Sequence, residues 1–271
     1  MPTTIGDSTC RVDAWSAPSL LIETESYSGE PVSSGTGFVV KHDDHSFLVT
    51  AEHVLSGRHP ESGVSLNRQE PERVRILHHD ALAGTGIGRW VRTDEALRTE
   101  RGDPRWSVHP QKTVKSAEQP TVFDIDVAVL PLRDLDRSVR MYPIDYRATP
   151  CRLAPGFPVS VVGFPFGQGG PAALFPIWKT GHVASDVYWS EGARSFLVDV
   201  TGRGGMSGAP VFARQWAPSE QGWDVQTSFV GVYSGRTREE SEIGIVWRAE
   251  LVAAIVDQAI ASMPRDAATV E

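Results

Sequence analysis

Cysteine is scarce in this chain. Cys10 and Cys151 are the only two among 271 residues, and they lie far apart in the sequence. A small secreted domain that depends on disulfides would use more cysteines than this. The scarcity therefore argues against a secreted disulfide framework.

Long hydrophobic runs are also missing. No stretch approaches the ~20 consecutive apolar residues that a membrane-spanning helix needs. The opening stretch, MPTTIGDSTCRVDAW, has neither the basic start nor the apolar run of a signal peptide. We therefore expect a soluble, cytoplasmic protein with no membrane partner.

A surplus of positive charge is absent as well. The 26 Lys and Arg residues are outnumbered by 34 Asp and Glu residues, which gives a net charge of −8. Proteins that bind nucleic acid usually present a basic surface to the phosphates. We therefore expect no nucleic-acid partner.

Recognisable metal and phosphate motifs are lacking too. His78-His79-Asp80 and the segment His-Asp-Asp-His at 42–45 contain metal-binding side chains, but neither has the spacing of a structural zinc site. We interpret both as surface turns. The segment GFPFGQGG, residues 163–170, lacks the Gly-Lys-Ser/Thr ending of a phosphate-binding loop. No metal and no cofactor are expected.

Turn-forming residues, in contrast, are plentiful, with 25 Gly and 19 Pro. Between them lie short runs rich in Val, Leu, Ile, Thr and Phe, which are typical of β-strands. The predicted strands of the first half are 19–26, 35–40, 45–51 and 123–132, with about two more in between. Those of the second half are 159–167, 175–185, 195–201, 209–214, 227–235 and 243–247. The pattern predicts an all-β protein with two barrel halves.

The end of the chain changes periodicity. Apolar residues recur at helical spacing within 249–263, which predicts a C-terminal α-helix. The predicted organisation is an N-terminal extension (1–18), a first barrel (19–148), a second barrel (149–248), the helix (249–263) and a tail (264–271). Residues 84–118 are polar and contain scattered Arg and Trp, so we predict an insertion in the first barrel, either a partner-binding segment or a solvated loop.

Ser207 lies in the glycine-rich segment 204–208. Serine becomes a useful nucleophile only beside a base, and acyl transfer also needs donors aimed at the oxyanion that forms. Glycines permit a sharp turn that points backbone N–H groups outward, and the candidate donors are the N–H groups of Gly205 and Ser207. The alternative is a glycine-rich turn with an incidental serine.

His53 follows the predicted strand 45–51. A histidine at a strand end can act as a general base, because its pKa lies near neutrality. The alternative is a partly buried histidine bonded to backbone, and the chain has eight histidines from which to choose.

Asp124 and Asp126 point to the same face of the predicted strand 123–132. A buried carboxylate can hold an imidazole in the tautomer that a general base needs. Asp126 directly precedes the apolar run 127–130, so it is the better candidate for burial. Asp124 remains its rival, and either could face solvent.

These motifs occur in the order Thr-Ala-x-His (50–53), Asp-Val-Ala-Val-Leu (126–130) and Gly-Gly-x-Ser-Gly-x-Pro (204–210). Together they resemble the three signatures of trypsin-like serine proteases, and the closing strand and helix are similar to those of the bacterial Deg-type and glutamyl endopeptidase branches. The resemblance implies a chymotrypsin-like fold of two six-stranded antiparallel β-barrels and a serine endopeptidase activity. It also implies a catalytic triad of His53, Asp126 and Ser207, with an oxyanion hole from Gly205 and Ser207.

Met206 departs from the pattern of trypsin itself. Trypsin and its close relatives have an Asp before the nucleophile, which pairs with a new N-terminal amine after zymogen cleavage. A methionine cannot form that ion pair, so we predict no activation at a new N-terminus.

The resemblance also implies where the P1 side chain of a substrate would bind. The implied walls of this pocket are Thr201, Gly202 and Arg203 on one side and Tyr233, Ser234 and Gly235 on the other. No Asp stands six positions before Ser207, so a preference for Arg or Lys is not expected. Arg203 or Arg236 could attract an acidic P1 residue if it does not face solvent. A small or medium apolar P1 residue is the favoured prediction.

Two other kinds of function stay open beside a protease acting on protein or peptide substrates. One is a catalytically silent pseudoprotease that binds peptides or serves as a scaffold. The other is a regulated intracellular effector that needs a regulatory protein partner, since a constitutively active protease in the cytoplasm would threaten its host.

Overall fold

The computed structural model describes residues 4–6, 11–81, 89–112, 124–133, 135, 137–148, 151–170, 174–219, 222–238 and 240–263. The chain begins with a two-stranded ribbon, β1 (Thr4–Gly6) and β2 (Arg11–Asp13). Two larger sheets and two α-helices follow. The predicted tail, 264–271, lies outside the described residues.

The first sheet comes from the first half of the chain. Its strands are β3 (Ser19–Glu25), β4 (Pro31–His42), β5 (His45–Thr50), β6 (Arg73–Asp80), β7 (Trp90–Ala96), β8 (Ser107–Val108), β9 (Ala128–Pro131) and β10 (Val139–Arg140). Their spatial order is β10-β6-β3-β4-β5-β9-β8, with β7 paired to β6, and all neighbours are antiparallel. Prediction from sequence missed the two-residue strands β8 and β10, which are too short to show a pattern.

The second sheet comes from the second half. Its strands are β11 (Pro158–Gly163), β12 (Ile177–His182), β13 (Ser195–Val198), β14 (Pro210–Ser219), β15 (Gly222–Arg236) and β16 (Gly244–Arg248). They run in the order β12-β11-β14-β15-β16-β13. A bridge between Val183 and Val198 joins the two outer strands, so this six-stranded sheet closes into a barrel.

Three apolar cores explain the alternating pattern of the strands. One fills the first barrel and includes Ile22 and Val74, and a second fills the second barrel and includes Val161. The third contains Phe38 from the first sheet and Phe212 from the second, together with the inner face of helix α2 (Glu250–Ser262). This helix therefore packs across the join between the sheets. The architecture confirms the predicted all-β, chymotrypsin-like fold with a C-terminal helix. The second half has the six strands predicted for it, whereas the sheet of the first half has eight. No helix in the described part of the chain is long and apolar enough to span a bilayer.

The end of the predicted N-terminal extension packs against the second barrel. Asp13 accepts hydrogen bonds from the Arg214 guanidinium at 2.7 and 2.8 Å. The Trp178 indole N–H donates to the Ser16 hydroxyl at 2.9 Å. Residues 11–18 are thereby attached to the second barrel.

The region predicted as an insertion, 84–118, contributes to the first barrel. It contains β7, which pairs with β6 along its whole length, from Arg73 opposite Ala96 to His79 opposite Trp90. Residues 84–88 and 113–118 lie outside the described part of the chain.

Cys151 is a half-buried free thiol. Burial raises the pKa of this thiol, so little of the reactive thiolate forms at neutral pH. Cys10 lies outside the described residues.

The interpretation of residues 78–80 as a surface turn is wrong, because they form the end of strand β6. His78 shares the inward face with Val74 and Ile76, is fully buried, and neither of its ring nitrogens has a hydrogen-bond partner. Residues 42–45 do form a turn, between β4 and β5. Among the described residues, no group of three or more His, Cys, Asp or Glu side chains is placed to hold a metal ion.

The buried position of His78 predicts instability in acid. Burial lowers the pKa of His78 to about 4 from 6.5. Between these values the unfolded chain binds a proton that the folded chain does not, so stability present above pH 6.5 is lost as the pH falls towards 4. At pH 5 the loss is about 2 kcal/mol. Between pH 7.5 and pH 5, the melting temperature of the variant His78→Leu should fall by less than that of wild type.

The matched control for this measurement is His45→Gln, which replaces an exposed histidine. Its melting temperature should fall between the two pH values as that of wild type does. Equal falls for wild type and His78→Leu would contradict the prediction.

Candidate active site

His53 and Asp126 meet at the end of the first barrel. Helix α1 (Glu52–Ser56) begins directly after β5 and places His53 in its first turn. The His53 Nδ1 lies 2.6 Å from Asp126 Oδ2, and the His53 backbone N–H donates to Asp126 Oδ1 at 2.9 Å. Both carboxylate oxygens therefore hold the same histidine, one through its ring and one through its backbone.

A third donor reaches the same carboxylate. The Ser234 hydroxyl, on β15, donates to Asp126 Oδ2 at 2.5 Å. The Asp126 side chain is only 1% exposed, so its charge depends on these three donors. Ser234, which the resemblance implied as a pocket wall, thus also fixes Asp126.

The two ionisable groups shift each other's pKa. Burial by itself would lower the pKa of His53, but the charge of Asp126 and its hydrogen bond leave that pKa raised. Burial would raise the pKa of Asp126, but His53 and the donated hydrogen bonds leave it lowered. Each partner therefore favours the charged form of the other.

Asp124, the rival carboxylate, has different partners. Its Oδ1 accepts the Ile125 backbone N–H at 3.0 Å. It lines the same cleft as His53, but among the described contacts only Asp126 bonds to the imidazole.

Ser207 lies in the turn that leads into β14, and strand β4 of the other barrel holds this turn. The Thr36 N–H donates to the Ser207 carbonyl at 2.9 Å. The Thr36 hydroxyl donates to the Gly205 carbonyl at 2.8 Å and accepts the Phe164 N–H at 3.1 Å. Analysis of the sequence missed Thr36, because nothing in a strand residue 171 positions before Ser207 (207 − 36) indicates such a contact.

The backbone before Ser207 forms a tight turn. The Met206 N–H donates to the Arg203 carbonyl at 3.1 Å, and Gly205 has a φ of +89°, as in a type II turn. A Cβ at Gly205 would lie 2.4 Å from the Phe164 carbonyl oxygen, so only glycine fits.

The same turn sets the direction of a backbone donor. The Gly204 carbonyl accepts the Phe166 N–H at 2.6 Å. Because a trans peptide is planar, the Gly205 N–H points the opposite way, away from Phe166. None of the described backbone hydrogen bonds uses the N–H of Gly205 or of Ser207. Within the described part of the chain, the backbone thus occupies neither predicted oxyanion donor.

A single cleft joins these groups. Its lining includes His53, Asp126, Ser207 and Ser234, and it continues past residues 235–237. Among the described contacts, no hydrogen bond joins the Ser207 hydroxyl to the His53 ring. Catalytic hydrogen bonds are often long without substrate and shorten in the complex. The two side chains line the same cleft, where a substrate could bring them together.

Met206 is fully buried in the apolar core of the second barrel. A charged N-terminal amine would find no partner in these surroundings. The buried methionine is compatible with the predicted lack of activation at a new N-terminus.

The two sets of residues implied as walls of the P1 pocket are in contact at one pair. Gly202 and Tyr233 are in direct contact. Arg203 donates to the Gly202 carbonyl at 2.8 Å and pairs with Glu242 at 3.5 Å. Thr201 is half-buried, and Gly235 lines the cleft.

Solved structures to which the chain is similar include Deg5, the active form of the Rv3671c protease of M. tuberculosis, and the serine endoprotease of Yersinia pestis. Deg5 is 16% identical over 91% of this chain and 90% of its own, with a TM-score of 0.54. The M. tuberculosis protease is 18% identical over 98% and 93%, and the Yersinia protease 14% identical over 91% and 64%, each with a TM-score of 0.49. At these identities, the likeness to Deg5 supports the fold alone.

No match to the chain is found among curated proteins. The model of one protein family, described as the trypsin-like peptidase domain, matches residues 35–218. This match covers more than half of the chain and contains His53, Asp126 and Ser207. The chain belongs to the trypsin-like peptidase family and is a serine endopeptidase.

Proposed function

We propose that this endopeptidase hydrolyses peptide bonds through a triad of Ser207, His53 and Asp126. The observation that carries the proposal is the carboxylate of Asp126, which accepts hydrogen bonds from both the ring and the backbone of His53. With Nδ1 bonded to Asp126, the other ring nitrogen, Nε2, is left to take a proton from Ser207 across the shared cleft.

The proposed reaction is acyl transfer. His53 Nε2 removes the hydroxyl proton as Ser207 attacks the substrate carbonyl carbon, and Asp126 stabilises the imidazolium that forms. The imidazolium then gives its proton to the leaving amine as the peptide bond breaks. Water, deprotonated by His53, attacks the acyl-enzyme and releases the second product. None of these steps needs a metal or a cofactor.

The oxyanion would be held by the N–H groups of Gly205 and Ser207. Two features support this assignment: neither N–H is used within the described backbone, and the Gly204 carbonyl, which points opposite to the Gly205 N–H, is bonded to the Phe166 N–H. Donors that are fixed in advance stabilise the developing charge without reorganisation.

A fluorophosphonate probe tests the proposal directly, because it forms a covalent bond only with an activated serine. We expect the purified chain to be labelled once, at Ser207, and the variant Ser207→Ala not to be labelled. Mass spectrometry of the digested protein identifies the labelled residue. An unlabelled wild-type chain would contradict an active triad in the isolated chain and favour a catalytically silent protein that binds peptides.

We further propose, from the cysteine content, that the protein acts on protein or peptide substrates in the cytoplasm, where thiols stay reduced. Control by a regulatory protein partner stays a prediction from the sequence. The same labelling experiment bears on it, because efficient labelling of the purified chain alone would mean that no partner is needed.

A further inference from the structure

The phenol of Tyr233 lies between two backbone segments that approach it at glycines. A Cβ added to Gly202 would lie 1.7 Å from the Tyr233 hydroxyl oxygen, and one added to Gly244 would lie 2.4 Å from the ring carbon Cε2. Any side chain at either position would collide with the ring. The Tyr233 side chain is 1% exposed, so the ring fills the space between these segments.

The backbone of Tyr233 lies beside the residues that directly follow Ser207. The Tyr233 carbonyl accepts the Gly208 N–H at 2.7 Å, and the Tyr233 N–H donates to the Ala209 carbonyl at 2.9 Å. Its chain neighbour Ser234 bonds to Asp126. Gly202 immediately precedes the turn that carries the Gly205 N–H. The backbone of Tyr233 is therefore fixed beside the serine turn, and its ring lies against Gly202, just before that turn.

We propose that Tyr233 occupies most of the S1 pocket, which is the pocket that receives the P1 side chain. The ring would limit the P1 residue of the substrate to a small one, Gly, Ala or Ser. The proposal rests on the proposed function, since it names the substrate of the same site. A longer P1 side chain would need the volume that the phenol fills. Cores and pockets at normal packing density do not admit extra atoms without strain.

Charge at the site points to the same class of substrate. Burial, above all, raises the pKa of Tyr233 to about 12, so the phenol is neutral and offers no anion to a Lys or Arg at P1. Arg203, one of the two possible readers of an acidic P1 residue, already bonds to the Gly202 carbonyl and to Glu242. The neutral phenol and the engaged Arg203 are compatible with a small uncharged P1 side chain.

The test compares peptides that differ only at P1, from Gly, Ala and Ser to Leu, Met and Phe. Fluorophosphonate titration first gives the concentration of active sites for each preparation. Wild type is expected to cleave after Ala at least about tenfold faster, in kcat/KM, than after Leu or Phe, since one or two methylenes change selectivity by this much. Equal or faster cleavage after Leu or Phe would overturn the proposal.

Variants of Tyr233 supply the second arm. Tyr233→Ala should raise kcat/KM for Leu and Phe at P1 by at least about tenfold relative to Ala at P1. Because this change leaves a large cavity that can prevent folding, Tyr233→Leu is the second variant, and its shorter side chain should admit Leu and Met. An unchanged P1 profile in a folded Tyr233→Leu protein would also overturn the proposal.

Tyr233→Phe is the matched control. The Tyr233 hydroxyl has no hydrogen-bond partner among the described residues, so its removal leaves the ring in place and should keep the preference for small P1 residues. Failure of the two proposals can be told apart. A protein that takes no fluorophosphonate contradicts the proposed triad, whereas one that is labelled but prefers a large P1 residue contradicts only the role of Tyr233.

Discussion

Replacing Ser207 with Ala is expected to lower kcat/KM by about 10³–10⁶-fold, because the triad acts as a unit and no other group can form the acyl-enzyme. Ser207 is half-buried at the edge of the cleft, so removing its hydroxyl opens no cavity in the core. The variant should therefore fold as wild type does. The loss would be chemical, and it is measured with one fluorogenic peptide under conditions where wild type and variant are both shown to be folded.

A double variant makes this prediction sharper. Once Ser207 cannot be acylated, the base has nothing to deprotonate, so His53→Ala in the Ser207→Ala background should cost almost nothing further. The residual rate would reflect binding and the backbone N–H groups of Gly205 and residue 207, which the substitution leaves in place. If the two single losses multiply in the double variant, the two residues do not act together, and the proposed triad fails.

Ser207→Thr offers a comparison that keeps a hydroxyl. Its extra methyl group would crowd the turn that Thr36 and Gly208 hold, so it too should be strongly impaired. Activity close to wild type would mean that the position of this hydroxyl is not critical, contrary to the proposed mechanism.

Much of the fold could be predicted from the sequence, since the information is local. The apolar alternation of β3, β5 and β11 and the helical spacing of α2 each depend on a few neighbouring residues. The hydrogen bond from Trp178 to Ser16 could not be predicted, because the two residues are 162 positions apart. The burial of His78 was missed for a related reason: a polar pair of histidines favours a turn by composition, whereas the neighbouring Val74 and Ile76 determine its face.

Some residues of the candidate site could likewise be predicted from local motifs, and others could not. Prediction from motifs named His53, Asp126 and Ser207, which the structure brings to one cleft. It could not identify how Thr36 clamps the serine turn, because that contact joins two barrels. Nor could it foresee the position of the Tyr233 ring, since a pattern of residue types does not give the volume between two glycines. The proposed P1 preference depends on contacts between distant segments, and only a folded chain contains them.

Replacing Asp126 with Asn is expected to lower kcat by about 10⁴-fold, although the two side chains have nearly the same shape. Three donors converge on this carboxylate: the ring and the backbone N–H of His53, and the Ser234 hydroxyl. An amide has one acceptor oxygen and one NH₂ group. Whichever way the Asn side chain is turned, its NH₂ group would face one of the N–H or O–H groups that now donate to Asp126. If the NH₂ group faces Nδ1, the imidazole must carry its proton on Nε2, where it cannot accept a proton from Ser207.

The pH profile separates this electrostatic role from simple misfolding. Burial by itself would lower the pKa of His53, but the charge and hydrogen bond of Asp126 leave it raised, so the acid limb of kcat/KM in wild type should lie above pH 6.5. His53 must be neutral to act as the base, and activity therefore rises as the pH passes upward through the pKa of His53. Without the Asp126 charge only the lowering effect of burial remains, so the acid limb of Asp126→Asn should move to lower pH.

Asp124→Asn is the matched control, because Asp124 lines the same cleft but bonds to the Ile125 N–H and not to the imidazole. It should cost less than about tenfold in kcat and leave the acid limb where wild type has it. The opposite ranking, with Asp124→Asn the more damaging variant, would transfer the orienting role to the rival carboxylate. An unshifted acid limb in Asp126→Asn would instead show that the charge of Asp126 does not set the pKa of the base.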